Sequence, residues 1–467
     1  MTHNRELPKD WHWTTIGAVC QINPPKPNLR GFLDKTTVLF VPMAAVDEAS
    51  GQVSAAEARS LGEVRKKSYR TFTSGDVLFA KITPCMENGK SAVAPQIDTG
   101  LGFGSTEFHV IRTGPSIDRK YLWHFVRQET FRRKAEQNMT GSVGQLRVPK
   151  EFIERSPILL PPLEAQRALI ENLDLVTAKS SSARLHLAAA RRAIERFRQA
   201  VLAAACSGRL TADWRAKHPN TRHNESTHRE VAAKSNRRPP REQAIDLPLP
   251  EIPASYLATS VGRASVRLEY GTSMKATASA NTGIPVLRMG NIQNGQLELH
   301  DLKYCVSDCE IKRLLLQDGD LLFNRTNSPE LVGKSAVFHE AKAMTFASYL
   351  IRVRFPPEVA LPDFVNYWLN SAWGRTWARL AKTDGVSQSN INGSKLSLMP
   401  LPLPLPPIEE QRVIVERASQ MLKEAERIAR SIEAAAKGVD QSSQAILAKA
   451  FRGELVPNGA TTADGLD

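Results

Sequence analysis

The chain has 467 residues, 42% of them hydrophobic, which is enough for about three packed domains and excludes wholesale disorder. Lys and Arg number 62 against 48 Asp and Glu, and the formal net charge of +14 favours a polyanionic partner such as nucleic acid. No long apolar run or signal-peptide pattern occurs, and five scattered cysteines are typical of a reducing compartment, so we expect a cytoplasmic protein without a metal site.

The first 158 residues are predicted to form an α/β domain. Apolar runs at 38–41 and 77–79 are bounded by Gly, Asp and Pro, which is typical of strands, and residues 121–135 have helical spacing with an aromatic face. The corresponding strands and helix of a second globular part are predicted at 286–289, 321–323 and 364–380.

Each globular part is followed by a long stretch without proline, at residues 163–206 and 408–451. Within both, apolar and small residues recur at alternating steps of four and three, the seam of a coiled coil. Gly208 and Gly453 lie where helix ends favour glycine. We therefore predict two long helices that pair antiparallel within the chain and place the globular parts at opposite ends, about an approximate twofold axis. Homodimerisation through the same seam is the alternative.

The chain contains an internal repeat. Leu-Pro-Pro-Leu-Glu-Ala-Gln-Arg at 160–167 recurs as Leu-Pro-Pro-Ile-Glu-Glu-Gln-Arg at 405–412, an offset of 245 residues. Gly-Asp-Val-Leu-Phe at 75–79 recurs as Gly-Asp-Leu-Leu-Phe at 319–323, and this register continues to a shared Gly-Lys-Ser-Ala-Val. Two copies of one unit, each a globular part followed by a helix, explain this register.

The repeat divides the chain into six predicted segments. They are a first globular domain at 1–158, a first long helix at 159–210, a polar flexible linker at 211–250, a second globular domain at 251–403, a second long helix at 404–457 and a disordered tail at 458–467.

Catalytic motifs are incomplete in this sequence. The two Gly-Lys-Ser triplets lack the earlier glycine of a phosphate-binding loop, and we expect turns between strands there. Asn-Pro-Pro-Lys at 23–26 has a lysine where adenine methyltransferases need an aromatic residue. We therefore expect a protein that is not an enzyme, with no catalytic residue and no bound cofactor.

The tandem order and the duplicated motifs resemble the specificity subunit of type I restriction–modification enzymes, the HsdS family, over nearly the whole chain. The resemblance implies tandem α/β target-recognition domains, each reading half of a split, asymmetric DNA sequence. The paired helices would be a spacer and a docking surface. The implied partners are double-stranded DNA, two modification subunits that use S-adenosylmethionine, and two restriction subunits that use ATP and magnesium.

Polar residues beside the repeated motifs are the candidates for DNA contact, because Arg and Lys suit guanine whereas Asn and Gln suit adenine. They are Lys81, Thr83, Asn88, Lys90, Ser142 and Gln145 in the first domain, and Arg288, Asn291, Arg325, Asn327, Ser328, Lys334, Gln388 and Asn390 in the second. The candidates for partner contact, which local helix capping would explain equally well, are Glu164, Gln166, Arg167, Glu409, Gln411 and Arg412.

Three alternatives stay open. A coiled-coil adaptor would bind proteins at its globular ends and would have no affinity for DNA. A self-contained methyltransferase or nuclease would bind S-adenosylmethionine or cleave DNA alone. A specificity subunit of a related restriction system would differ only in its separate partner chains.

Overall fold

The computed structural model describes residues 10–142, 144–234, 250–277, 283–386, 388–398 and 403–455. Contacts divide the chain into two compact units, and each is described by itself. The first unit comprises the described parts of 1–190 and 431–467, and the second those of 191–430. No helix within the described ranges is long and apolar enough to cross a membrane.

The globular domain of the first unit mixes short strands and short helices. Its strands are β1 (His12–Thr15), β2 (Cys20–Ile22), β3 (Thr37–Val41), β4 (Glu57–Ser60), β5 (Arg70–Phe72), β6 (Val77–Ala80), β7 (Ser91–Val93), β8 (Gly102–Gly104), β9 (Phe108–Thr113) and β10 (Pro157–Leu160). Its helices are α1 (Ile16–Val19), α2 (Leu61–Val64), α3 (Arg119–Val126), α4 (Glu129–Gln137) and α5 (Lys150–Arg155), and the long helix α6 (Leu163–Cys206) follows.

Two four-stranded sheets and a ribbon make up this domain. One sheet is antiparallel in the order β2-β9-β6-β7, and the other has the order β4-β3-β8-β5 with β3 parallel to β8. The first and last strands, β1 and β10, pair so that His12 lies opposite Leu160. The chain therefore enters and leaves the domain at one place, immediately before α6.

The second unit repeats this organisation. Its helices are α7 (Ala212–Lys217), α8 (Glu225–Lys234), α9 (Val261–Ala264), α10 (Cys309–Arg313), α11 (Pro362–Asn370), α12 (Ala372–Ala381), α13 (Gly393–Leu398) and α14 (Ile408–Ala450). Its strands are β11 (Leu257–Thr259), β12 (Arg267–Tyr270), β13 (Ile284–Leu287), β14 (Ile292–Gln293), β15 (Gln296–Leu297), β16 (Lys303–Cys305), β17 (Leu321–Asn324), β18 (Thr326–Asn327), β19 (Ser335–Val337), β20 (Thr345–Phe346), β21 (Leu350–Arg354), β22 (Thr383–Asp384), β23 (Ser389–Asn390) and β24 (Leu403–Leu405).

The second domain repeats the main strand pairings of the first, with a three-stranded mixed sheet in place of a four-stranded one. The antiparallel sheet β12-β21-β17-β19 corresponds to β2-β9-β6-β7, and β16-β13-β20 again contains a parallel pair, β13 with β20. The ribbon of β11 and β24 corresponds to that of β1 and β10. The predicted fold class, tandem α/β domains with long helices, is confirmed.

Each of the two predicted aromatic helices is interrupted. The first is α3 and α4, separated at Gln128, whose backbone is extended and whose side-chain amide donates to Phe125 O at 3.1 Å. The second is α11 and α12, separated at Ser371, where the backbone is again extended and the hydroxyl accepts a hydrogen bond from Gly374 N. Local hydrogen bonds of this kind compete with a continuous helix, and spacing alone did not reveal them.

Segments of both long helices pack together in the first unit. Leu169 and Leu173 of α6 share a buried core with Leu447 near the end of α14. Further along α6, Arg184 donates to Asp440 Oδ1 at 2.6 Å. Residue numbers rise on one helix as they fall on the other, so the two segments are antiparallel.

The second unit contains the other segments, again antiparallel. Val201 of α6 shares a core with Ile414 of α14, and Arg198 pairs with Glu426 at 3.2 Å. Two positions predicted by the four-and-three spacing are wrong in this unit: Phe197 is 45% exposed and Met421 is 40% exposed. Arg198 is buried in place of Phe197. The 3.6-residue period of a straight helix drifts from a strict seam and moves the buried face by one residue here.

A buried glutamine fixes the first turn of each long helix. Gln166 is fully buried, and its side-chain oxygen accepts from Asp118 N at 2.8 Å. Its amide donates to Ser116 O at 2.9 Å and to Pro161 O at 2.8 Å. The side chain therefore joins the helix start to the loop before α3 and to the Pro-Pro turn.

Gln411 repeats this arrangement in the second unit. Its oxygen accepts from Leu361 N at 2.7 Å, and its amide donates to Val359 O at 3.1 Å and Pro406 O at 2.9 Å. The assignment of Gln166 and Gln411 as partner contacts is thus corrected, because both side chains are buried and hydrogen-bonded internally. The neighbouring candidates are exposed: Glu164, Arg167, Glu409 and Arg412.

The segment predicted to be a flexible linker, 211–250, contains α7 and α8. Val231 of α8 is buried, and His228 Nε2 is 2.9 Å from Thr259 Oγ1, both of them buried. The polar composition suggested a tether, but Val231 and His228 hold α8 on the second domain. Residues 235–249 lie outside the described residues, as does the predicted tail from 458 onward.

A buried ion pair fixes α7 to the start of α14. Arg215 donates to the fully buried carboxylate of Glu410. The same carboxylate oxygen accepts from Thr211 Oγ1 at 2.6 Å and from the Tyr256 hydroxyl at 2.9 Å. We call these four residues the clasp. At the equivalent position of the first unit the sequence has Ala165.

Replacing Gln166 by Leu should lower the free energy of unfolding by about 2–4 kcal/mol, because three hydrogen bonds are lost and buried backbone groups stay unpaired. The measurement is urea unfolding followed by tryptophan fluorescence. Arg167→Leu, at the exposed neighbouring position, is the control and should leave the midpoint nearly unchanged. Equal midpoints for the two variants would contradict the anchoring role.

Candidate nucleic-acid interface

The end of β6 carries a polar edge in the first domain. Lys81 N donates to Glu107 O at 2.9 Å, and Lys81 O accepts from Val148 N at 2.8 Å. Arg147 forms β-bridges with both Ile82 and Thr140, so these described residues lie beside the strand end. We call residues 81–83 with 140–142 and 144–147 the first polar edge.

The second domain has the same backbone arrangement at the end of β17. Arg325 N donates to Tyr349 O at 3.0 Å, and Arg325 O accepts from Ile391 N at 2.8 Å. β18 pairs with β23, and β23 pairs with β22, forming a hairpin whose turn includes the fully exposed Val386. Residues 325–327 with 383–390 are the second polar edge.

An ion pair dominates the first polar edge. The Arg147 guanidinium donates to both carboxylate oxygens of Glu107, at 2.9 and 3.1 Å. The bond from Arg147 lowers the pKa of Glu107, so this carboxylate stays ionised. Burial and the nearby Arg70 lower the pKa of Lys81. The edge therefore concentrates positive charge beside one fixed negative group.

Stacking and neutral hydrogen bonds dominate the second polar edge. The Arg325 guanidinium lies 4.7 Å from the centre of the Tyr270 ring, a cation–π contact. Arg325 Nη2 donates to Asn390 Oδ1 at 3.4 Å, and Asn390 Nδ2 donates to Thr326 Oγ1 at 2.8 Å. Equivalent positions thus carry different chemistry in the two domains.

The structure brings some of the predicted DNA-contacting residues together on these edges. They are Lys81, Thr83, Ser142 and Gln145 in the first domain and Arg325, Asn327, Gln388 and Asn390 in the second. Ser142, Gln145 and Gln388 are exposed in the turns. Thr83 instead donates its hydroxyl to Glu87 at 2.6 Å.

Other predicted residues lie in the loops after the edge strands. Asn88 is exposed and Lys90 half-buried between β6 and β7, and Ser328 is half-buried after β18. Lys334 donates to Gln293 Oε1 at 2.9 Å and its pKa is lowered by burial.

Two candidates of the second domain form part of a turn instead. Asn291 is buried, and its amide donates to Glu298 O at 2.8 Å and His300 O at 3.1 Å. Arg288 donates to Asp301 O at 2.9 Å. The prediction that Asn291 is a DNA contact is corrected, because its polar atoms are used inside the turn.

Four residues at these edges were not predicted from the sequence: Glu107, Arg147, Tyr270 and Tyr349. They reach the edges from strands far away in the chain, and no repeated motif includes them. One signal was present: Thr140, Val143 and Gln145 recur as Thr383, Val386 and Gln388 at an offset of 243 residues. That third register would have aligned Arg147 with Asn390.

Known proteins similar to this chain are type I restriction enzyme specificity subunits. Residues 8–185 match the family described as the type I restriction modification DNA specificity domain. The chain is 40% identical over 166 residues to the type I restriction enzyme EcoAI specificity subunit of Escherichia coli, covering 35% of this chain and 28% of that protein. With the EcoEI specificity subunit of Escherichia coli it shares 25% identity over 485 residues, 92% of this chain and 80% of that protein. Over residues 8–185 the chain therefore matches the type I DNA specificity domain family, and over most of its length it is similar to type I specificity subunits.

Further matches agree with this similarity. The EcoKI specificity subunit of Escherichia coli strain K12 is 29% identical over 74% of this chain and 68% of its own length. A solved structure concerning complex assembly and conformational transition of the type I R-M system aligns with 97% of this chain and 100% of its own, with a TM-score of 0.67 and 20% identity. That likeness shows the fold. The match to the EcoAI subunit spans less than a third of that protein.

A buried histidine holds the first polar edge to its sheet. His109 Nε2 is 2.8 Å from Val148 O, and its Nδ1 is 2.9 Å from the amide of Asn23. Burial lowers the pKa of His109 to about 4, so the ring is neutral at pH 7, donating to Val148 O and accepting from Asn23. The edge therefore depends on an uncharged imidazole.

The stability of the first domain should decrease in mild acid. An unfolded histidine titrates near 6.5, so the contribution of neutral His109 is complete above that pH and is lost as the pH falls toward 4. The loss should reach about 3 kcal/mol, measured as urea midpoints at pH 7 and pH 4.5. His109→Gln should reduce this dependence, whereas His186→Gln on the exposed face of α6 should retain it. Identical pH profiles for all three proteins would contradict the assignment.

Proposed function

We propose that this chain is the DNA-reading subunit of a type I restriction–modification complex, in which each globular domain reads one half of a split, asymmetric target. The two polar edges carry this proposal, because one backbone arrangement presents Lys81 and Arg147 in one domain and Arg325 and Asn390 in the other. A repeated frame with different side chains is what two readers of different bases require. The net charge of +14 supports binding to a phosphate backbone.

The long helices would set the distance between the half-sites and would dock the other subunits. We propose two modification subunits and, in the full complex, two restriction subunits, acting on DNA in the cytoplasm. In this proposal the chain itself is not catalytic. S-adenosylmethionine, ATP and magnesium are held by those partners, which supply methyl transfer to adenine and nucleotide-driven cleavage.

The decisive experiment is co-expression with the modification subunit encoded beside it, purification of the complex and methylation-site sequencing of the host DNA. We expect a stable complex and methylated adenines within a bipartite motif. Exchange of residues 1–158 for those of a relative should change one half of the motif only. A purified chain that joins no methyltransferase and shows no affinity for DNA would favour the adaptor alternative.

Exposed apolar side chains on α6 are suited to subunit docking. Leu175 is 53% exposed and Leu185 is 72% exposed, both within the first unit. Burying a leucine contributes about 1.5–3 kcal/mol. Leu185→Glu should therefore weaken association with the modification subunit at least about tenfold, measured by calorimetry. Ser182→Glu, which adds the same charge at an exposed position of the same helix, should bind normally. Equal affinities would place docking elsewhere.

A further inference from the structure

Three positions on each polar edge are equivalent by their backbone hydrogen bonds. Lys81 corresponds to Arg325. The Lys81 N–H donates to Glu107 O, and the Lys81 carbonyl accepts from Val148 N. In the same way the Arg325 N–H donates to Tyr349 O, and the Arg325 carbonyl accepts from Ile391 N. Arg147 pairs with Ile82, the residue after Lys81, and Asn390 pairs with Thr326, the residue after Arg325. We call these positions the reading triplet; it is Lys81, Glu107 and Arg147 in the first domain and Arg325, Tyr349 and Asn390 in the second.

The triplet differs at every position, although the residues around it repeat. The strands before it share Gly-Asp-x-Leu-Phe, and the returning turns share a threonine, a valine and a glutamine. All six triplet side chains are half-buried or exposed, so core packing does not determine their identity. Their difference points to the ligand as its cause.

The hydrogen bonds of Arg147 leave its guanidinium free for one particular contact. A guanidinium has five N–H groups. Nε and Nη2 each donate to Glu107, and Nη1 donates to Gln145 O at 2.9 Å. Among the described residues these are its hydrogen bonds, so one N–H remains on each terminal nitrogen. Two parallel donors of that kind match O6 and N7 of guanine in the major groove.

The hydrogen-bonding groups that remain unused on Asn390 are different. Its Nδ2 uses one N–H on Thr326 Oγ1, and its Oδ1 accepts once, from Arg325. One N–H and one lone pair remain on the same amide. A donor beside an acceptor matches N7 and N6 of adenine. Stacking of Arg325 on Tyr270 restricts the guanidinium that orients this amide.

We propose that Arg147 and Asn390 are base-reading residues at equivalent positions of the two domains, Arg147 specifying a G·C pair and Asn390 an A·T pair. Glu107 and Arg325 are positioning residues that orient them. This inference rests on the proposed function and adds to it the bases and the residues that read them.

The test uses the co-expressed methyltransferase complex and sequencing of methylated sites. Arg147→Gln should relax or change one G·C position in one half-site, and Asn390→Ala one A·T position in the other, each leaving the opposite half-site unaltered. Arg133→Gln, at an exposed arginine on α4, is the matched control and should preserve the motif. Glu107→Gln should broaden the same G·C position as Arg147→Gln, because the guanidinium loses its ionised partner.

A binding measurement separates base reading from simple charge. Competition of purified complexes for duplexes that carry each base pair at the affected position should show a loss of discrimination of about tenfold to a hundredfold. Arg147→Lys keeps the positive charge but lacks the paired N–H donors of the guanidinium. This complex should therefore assemble normally and still lose discrimination between base pairs. Uniform weakening on every duplex would identify phosphate contacts and overturn the inference. A wild-type complex without a bipartite motif would instead refute the proposed function.

Discussion

The buried amides of Gln166 and Gln411 determine how each long helix begins. Each amide bonds to the Pro-Pro turn and to the loop before a domain helix, so the first helical turn cannot rotate without breaking three hydrogen bonds. The ribbon of first and last strands lies immediately before that turn. Within each unit, the orientation of the helix start on its own domain therefore follows from one polar side chain.

The polar edges show how one scaffold carries two chemistries. Backbone hydrogen bonds hold the edge in both domains, so side chains there can change without loss of the sheet. In the first domain a charged pair, Glu107 with Arg147, takes the place that an amide and a stacked arginine take in the second. Fixing these groups before any ligand arrives reduces the entropy lost on binding.

Much of the fold was predictable because the repeat has a nearly constant register. The tandem α/β domains, the long helices and the positive φ angles of Gly208 and Gly453 followed from motifs and spacing. The polar edges were only half predictable. Residues beside the motifs, such as Lys81 and Asn390, were found, but Arg147 and Glu107 meet only through strand pairing. The burial of Gln166 could not be predicted either, because a glutamine at the start of a helix is usually exposed.

The clasp makes the two copies unequal. Glu410 is buried against Arg215 and Tyr256, whereas the first copy has Ala165 and needs no counter-charge. A buried carboxylate that loses one of its hydrogen-bond donors destabilises a fold. Genetic exchange of residues 1–158 moves no member of the clasp, but exchange of 251–403 replaces Tyr256, which donates to Glu410, while Arg215 and Glu410 stay behind. Exchange of the first domain by recombination should therefore be tolerated more readily than exchange of the second.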